Sequence, residues 1–115
     1  MTIDSLRKVL VESPFAGDVD KNVKYARAIL KDCLSRNEAP FASHLLYTQD
    51  GVLDDDNLEE RKLGIAAGLA WGEVADITVV YTDLGISKGM QQGIDHAIKH
   101  GRPIEYRTLP SWDVI

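Results

Sequence analysis

DITVVYTDLGISKGMQQGIDHAIKHG, residues 76–101, decides the fold. Within 76–81, Ile77, Val79 and Val80 make a short β-branched run, the pattern of one strand buried on both faces of a parallel sheet. The turn Thr82-Asp83-Leu84-Gly85 follows. Residues 87–99 then place Met90, Ile94, Ala97 and Ile98 at helical spacing, with Ser87 as N-cap and Gly101 as the stop. A strand, a glycine-bearing turn and a helix in that order aim backbone N–H groups outward at the carboxyl end of a sheet. Open α/β folds bind ligands there, and anionic groups meet a helix N-terminus there. The functional site is expected at that rim.

Working toward the N-terminus, 8–12 reads as a first strand around Val9-Leu10-Val11, ended by Ser13-Pro14-Phe15-Ala16-Gly17. Pro14 lacks a ladder donor and Gly17 permits a tight backbone, so this segment is a strand-to-helix loop. Asp18 or Asp20 can cap a helix running to about Arg36, with Val23, Ala26, Ile29, Leu30, Cys33 and Leu34 on its packed face. A short strand is expected over 39–43, with Pro40 tolerable at its start. The connection 44–57 is long enough to be a binding or lid loop. A helix over 58–73 carries Leu63, Ile65, Ala66, Leu69, Ala70 and Trp71 toward a buried face, with acids at its N-terminus. Gly64, Gly68 and Gly72 recur in it every four residues, and each costs about 1 kcal/mol against alanine. Such a stripe implies close approach, to the sheet or to the same helix in a second subunit.

After the central unit, 103–107 reads as a last strand and 109–115 as a tail, frayed or docked on a neighbour through Trp112. Strands alternating with helices imply an α/β three-layer sandwich, with a small, mostly parallel sheet of four or five strands covered on both faces. The length of 115 residues suits one domain over 1–115. A net charge of -5 argues against a nucleic-acid polymer as partner, since such surfaces are basic, and favours a small molecule. Cys33 has no partner for an internal disulfide. The first ten residues lack a signal-peptide apolar core, and no run approaches the roughly 20 apolar residues of a membrane span. A cytoplasmic protein that does not bind membranes is expected.

Four features lie at successive strand ends: SPFAG at 13–17, Asn22 on the next helix, SHLLY at 43–47, and S-x-G-M-x-x-x-I-x-x-A at 87–97. Together they resemble the nucleoside 2-deoxyribosyltransferase-like superfamily, and more narrowly its small phage and bacterial domains of unknown function. The resemblance covers nearly the whole chain. It implies a flavodoxin-like or Rossmann-like sheet, a nucleoside or nucleotide in the cleft, and a homo-oligomer whose neighbour completes the pocket. It also implies that Phe15 and Gly17 with Ser13 shape the pocket for base and sugar, and that Ser87, Gly89 and Met90 cradle the sugar-phosphate side. The family nucleophile is a glutamate four residues after that glycine, and here the position is Gly93. The inherited route needs a carboxylate to attack the anomeric carbon.

Two functions from different classes follow. The first is a binding protein that keeps a nucleotide pocket without its nucleophile and sequesters a nucleotide or nucleotide-derived signal, by analogy as a phage counter-defence in the host cytoplasm. The second is an N-glycosidase or 2-deoxyribosyltransferase acting on nucleoside monophosphates with a substitute carboxylate. Asp83, at the end of the central strand, is the candidate for that acid or else a turn-former; a neighbouring subunit or 54–60 could also supply it. Asp95, two residues past Gly93, should face away. His44 and Tyr47 lie where a ligand would pass, and Arg61 could reach a phosphate. His96 and His100 have a metal-compatible spacing without an acidic partner at the usual intervals, and Asp54-Asp55-Asp56 reads as a solvated run, so no metal is expected. The chain lacks G-x-G-x-x-G, so no dinucleotide cofactor is expected either.

Overall fold

A computed structural model describes residues 2–114. A 3-10 turn over Ile3–Ser5 leads into β1 (Arg7–Glu12), α1 (Val19–Ser35), β2 (Glu38–Phe41), α2 (Ser43–Leu46), α3 (Leu58–Gly72), β3 (Ile77–Tyr81), α4 (Lys88–Lys99) and β4 (Ile104–Arg107). All strand pairs are parallel, in the order β2-β1-β3-β4. The register sets Val9 beside Ile77 and Thr78 beside Ile104. The fold is thus the expected flavodoxin-like or Rossmann-like α/β sandwich. Because β2 lies on one side of β1 and β3 on the other, the chain reverses direction between β1 and β3, and a crevice opens outside the carboxyl ends of those two strands.

The side chains of β1 and β3 divide the core by parity, as a period of two requires. Val9, Val11, Ile77, Val79 and Tyr81 pack with Tyr25, Ile29 and Cys33 of α1. Val80 packs with Met90 and Ile94 of α4 on the opposite face, where α3 also meets Leu10. Asp18 caps α1 by accepting from the Lys21 N–H at 3.3 Å, and Asn37, with φ of 59°, takes the left-handed turn after it. Ser87 caps α4 as expected, its Oγ accepting from the Met90 N–H at 3.2 Å. Past the helix, Gly101 has φ of 68° and the Arg102 N–H reaches back to the Ala97 carbonyl at 2.9 Å.

Several expectations need correction. β2 ends at Phe41, and part of the expected loop coils into α2, because the Ala42 carbonyl, which accepts from the Leu45 and Leu46 N–H groups, starts a helical turn there; Pro40 stays in the strand, paired with Val9. Leu34 and Ile98 face solvent on their helices. On α3, Leu63 and Trp71 are exposed rather than buried, and the glycine edge faces inward instead. A Cβ at Gly72 would lie 2.7 Å from Leu10 Cδ2, and one at Gly68 would strike Ser43 of α2. The stripe's close approach is therefore to β1 and α2 of the same chain. The tail docks on its own chain too, with Trp112 edge-on to Tyr25 at 5.1 Å between centroids.

Charge is buried at one further place. Arg107 of β4 donates to both Glu38 carboxylate oxygens at 2.7 Å, and Arg7 adds a third bond at 2.9 Å. The Arg107 guanidinium holds the Glu38 carboxyl down to about 2, while Glu38 drives the Arg107 value upward. Burial raises the Tyr81 hydroxyl, which donates to Asp32 at 2.6 Å. Among the described residues, no helix is long and apolar enough to cross a membrane.

Candidate functional site

At the crevice lies a cavity of about 140 Å³ with Glu12 and Ser13 from the end of β1, Ser43 and His44 from α2, the Gly64-Gly68 edge of α3, and 87–93 of α4 on its walls. It shares Phe15, Thr48, Arg61 and other wall residues with a shallower outer hollow of about 620 Å³, lined by the 48–56 loop. The inner chamber is small beside the roughly 300–1,000 Å³ of common ligand pockets.

Most residues singled out from the sequence converge here. Ser13, Phe15, His44, Tyr47, Arg61, Ser87, Gly89, Met90 and Gly93 all line the inner cavity. Gly17 lines only the outer hollow, at a φ of 102°. Asn22 lines neither: buried on α1, its side-chain amide donates to the Phe15 and Ala16 carbonyls at 2.8 and 3.1 Å and fixes the loop that presents Phe15. It positions the site without forming its wall.

Asp83 does not belong to the cavity. Its carboxylate accepts from the Tyr25 hydroxyl at 2.7 Å and from the Leu109 N–H at 2.8 Å, and so ties α1 and the tail to the end of β3. Parity explains the correction. Asp83 follows Tyr81, which points to the α1 face, whereas the cavity lies on the face of Leu10 and Val80. Asp95 is exposed and accepts from Gln91 at 2.9 Å, turned away as expected.

The acid at the cavity is Glu12, which sequence reasoning passed over as the last residue of a strand. Its face could be read from alternation with Val9 and Val11, but its partner across the cleft could not. A Cβ built at Gly93 would collide with the Glu12 carboxyl, so the space in front of that glycine is filled by the carboxyl group from β1. Loss of solvent pushes the Glu12 carboxyl up to about 8, against a smaller opposing pull from Arg102. The Glu12 side chain forms no ion pair among the described residues. The shift favours the protonated carboxyl, which borders the chamber.

Beside it, Ser13 Oγ and His44 Nε2 are 2.6 Å apart. Burial pushes His44 down to about 4, so its imidazole is neutral at pH 7. At the lip, Arg61 and Lys88 join no ion pair among the described residues. Of the first-turn N–H groups of α4, that of Met90 is taken by the Ser87 cap, and those of Lys88 and Gly89 have no partner within the helix. The cleft thus has the Glu12 carboxyl at its floor and charges of both signs at its mouth, Arg61 and Lys88 beside Asp55 and Glu60, with Asp50, Asp54 and Asp56 around the outer hollow.

Away from the cleft, Glu73 approaches His96 and His100, with possible ligand atoms within 4.8 Å of one another. Sequence spacing could not reveal this acidic partner, which arrives from the end of α3. Arg102 Nη2 contacts His96 Nδ1 at 3.2 Å, which places a guanidinium where it opposes a bound cation.

Residues 7–107 match the profile of a family described as a domain of unknown function, DUF7768. No curated protein matches the chain.

Proposed function

We propose, from the premise that this chain belongs to the DUF7768 family, that it is a nucleotide-binding protein whose ligand lies in the cleft between β1 and α4. One observation carries the reading: unpaired Arg61 and Lys88, with the first turn of α4, edge a chamber walled by Phe15 and Tyr47 and floored by Glu12, Ser13 and His44. A phosphate suits the α4 side of the lip, where Lys88, Arg61 and the helix dipole favour an anion and outweigh the opposing charge of Asp55 and Glu60 across the mouth. A sugar ring suits the floor, where Glu12, Ser13 and neutral His44 offer hydrogen bonds to hydroxyls. The aromatic rings give a base a stacking surface toward the outer hollow.

The test is thermal melting and calorimetry with 2′-deoxynucleoside and ribonucleoside 5′-monophosphates, each against its nucleoside. A rise in Tm for a monophosphate that exceeds the rise for its nucleoside is expected, and Arg61→Ala with Lys88→Ala should remove the difference. Absence of any shift across the panel overturns the reading.

Sequestration without turnover rested on position 93 lacking a carboxylate, and Glu12 supplies a carboxyl in front of that position. Assembly with a second copy is supported by the outer stripe of α3, where Leu63, Ala66 and Ala70 lie exposed at helical spacing beside Trp71.

A further inference from the structure

We propose that Glu73, His96 and His100 bind a first-row divalent cation of the zinc class, at the end of the molecule opposite the cleft. The site lies apart from the cleft and does not depend on a nucleotide being the ligand there.

Both helices that wall the cleft run antiparallel to the parallel strands they connect, so their last turns meet at the amino end of the sheet. Glu73 is the C-cap of α3, and His96 and His100 stand one turn apart at the end of α4, the second as its C-cap. A spacing of four puts both imidazoles on one face of the helix, where their ring centroids lie 4.3 Å apart. One ligand atom from each of the three residues lies within 4.8 Å of the other two. The histidine pair has no acid at a metal-binding interval in sequence, and the packing of α3 beside α4 supplies one.

The donor set selects the cation. Two imidazole nitrogens and a carboxylate oxygen suit zinc and its first-row neighbours, whereas magnesium and calcium prefer oxygen throughout. Tetrahedral bonds of about 2.1 Å need donors about 3.4 Å apart, so the three must close in by at most about 1.4 Å. Glu73 and His100 are exposed, and rotation about their side-chain bonds covers that distance without moving the backbone. Both also line an open hollow, which lets water complete the coordination.

Charge gives a second, independent reason. An acid at a helix C-terminus faces the negative end of the dipole, yet Glu73 takes that place on α3 and joins no ion pair among the described residues. The negative end of α4 adds to the same field, and a cation between the two helix ends offsets all three. Lys99 and Arg102 oppose it. Arg102 is the direct competitor: a guanidinium only donates, so its Nη2, 3.2 Å from His96 Nδ1, engages a lone pair that the metal needs. Its Nε donates to Thr78 Oγ1 at 2.9 Å, so the Nη2 arm can give way while that anchor holds. A bound ion ties together the last turns of the two helices whose other parts line the cleft.

The experiment titrates zinc chloride into the untagged protein, stripped beforehand with a chelator, and into Glu73→Gln, His100→Ala and Arg102→Gln, with magnesium chloride as control. Calorimetry reads affinity and thermal melting reads stability. Expected are one zinc ion per chain, a Tm that rises with zinc concentration, and no response to magnesium. Glu73→Gln and His100→Ala change exposed side chains and should each weaken zinc binding by at least about tenfold, while Arg102→Gln should tighten it. With cobalt chloride, visible d–d bands should appear in the wild type and fade in His100→Ala. A wild type that binds no zinc overturns the proposal. So does a His100→Ala protein that binds as tightly as the wild type, which would put the ion elsewhere on the chain, or an Arg102→Gln protein that binds no more tightly.

Discussion

Glu12 is a stability liability as well as a chemical group, and its pH signature separates it from the other buried ionisable residues. Its folded value of about 8 lies above the ordinary 4.5. The stability linked to its proton is therefore complete below pH 4.5 and drains away as pH rises toward 8. Glu38 and His44 act with the opposite sign. Glu38, held near 2, contributes stability above pH 4.5 that is lost as pH falls toward 2, and His44, held near 4, contributes stability above pH 6.5 that is lost as pH falls toward 4. Glu12→Gln should consequently melt with the wild type at pH 4.5 and increasingly above it up to pH 8, as read from Tm at each pH. A constant difference across that range would mean that Glu12 titrates normally. At Glu38 the concern is a lone buried charge: Glu38→Ala strands Arg107 and should cost about 3–5 kcal/mol in urea unfolding. That loss has nothing to do with the cleft, and nucleotide binding by the surviving folded fraction should persist.

At the scale of elements, α3 shows how a helix with an unpromising composition becomes a wall of the site. Its inward edge is glycine, so the backbone itself lies against β1 and α2. Gly72→Ala must push Leu10, and Gly68→Ala must push Ser43. Each should destabilise by about 1–3 kcal/mol through overpacking, even though alanine is the better helix former. Gly64→Ala meets only the Leu53 side chain at 3.3 Å and should fall close to neutral. Equilibrium denaturation of the three variants checks the order. Gly68→Ala carries a second expectation, because Ser43 begins the α2 segment bearing His44 and both line the cavity: the cavity should narrow and monophosphate affinity should fall with the stability. A stabilised Gly72→Ala protein would show that α3 stands off the sheet.

For the whole molecule, the exposed apolar stripe of α3 and the cleft share one helix, Leu63 and Ala66 outside and Gly64 and Gly68 inside. Light scattering should return the mass of a dimer or larger assembly for the wild type, and Leu63→Glu with Trp71→Glu should return that of a single chain. A wild type of single-chain mass removes the assembly reading.

The alternation of β-branched strands with helices, the caps Asp18 and Ser87, and the loops placed at strand ends were all written in local spacing. They determined a parallel α/β sheet and the rim where a site would form, because periodicity and capping act between residues close in the chain. Sequence also marked Ser13, Phe15, His44, Ser87 and Gly93 as neighbours in function. It could not determine which carboxyl enters the cleft. Asp83 and Glu12 both stand near strand ends, and only strand parity and the approach of α4 to β1 send one toward Tyr25 and the other toward Gly93. That choice depends on contacts between residues 81 positions apart in the chain, from 12 to 93, where no local pattern extends and only packing decides.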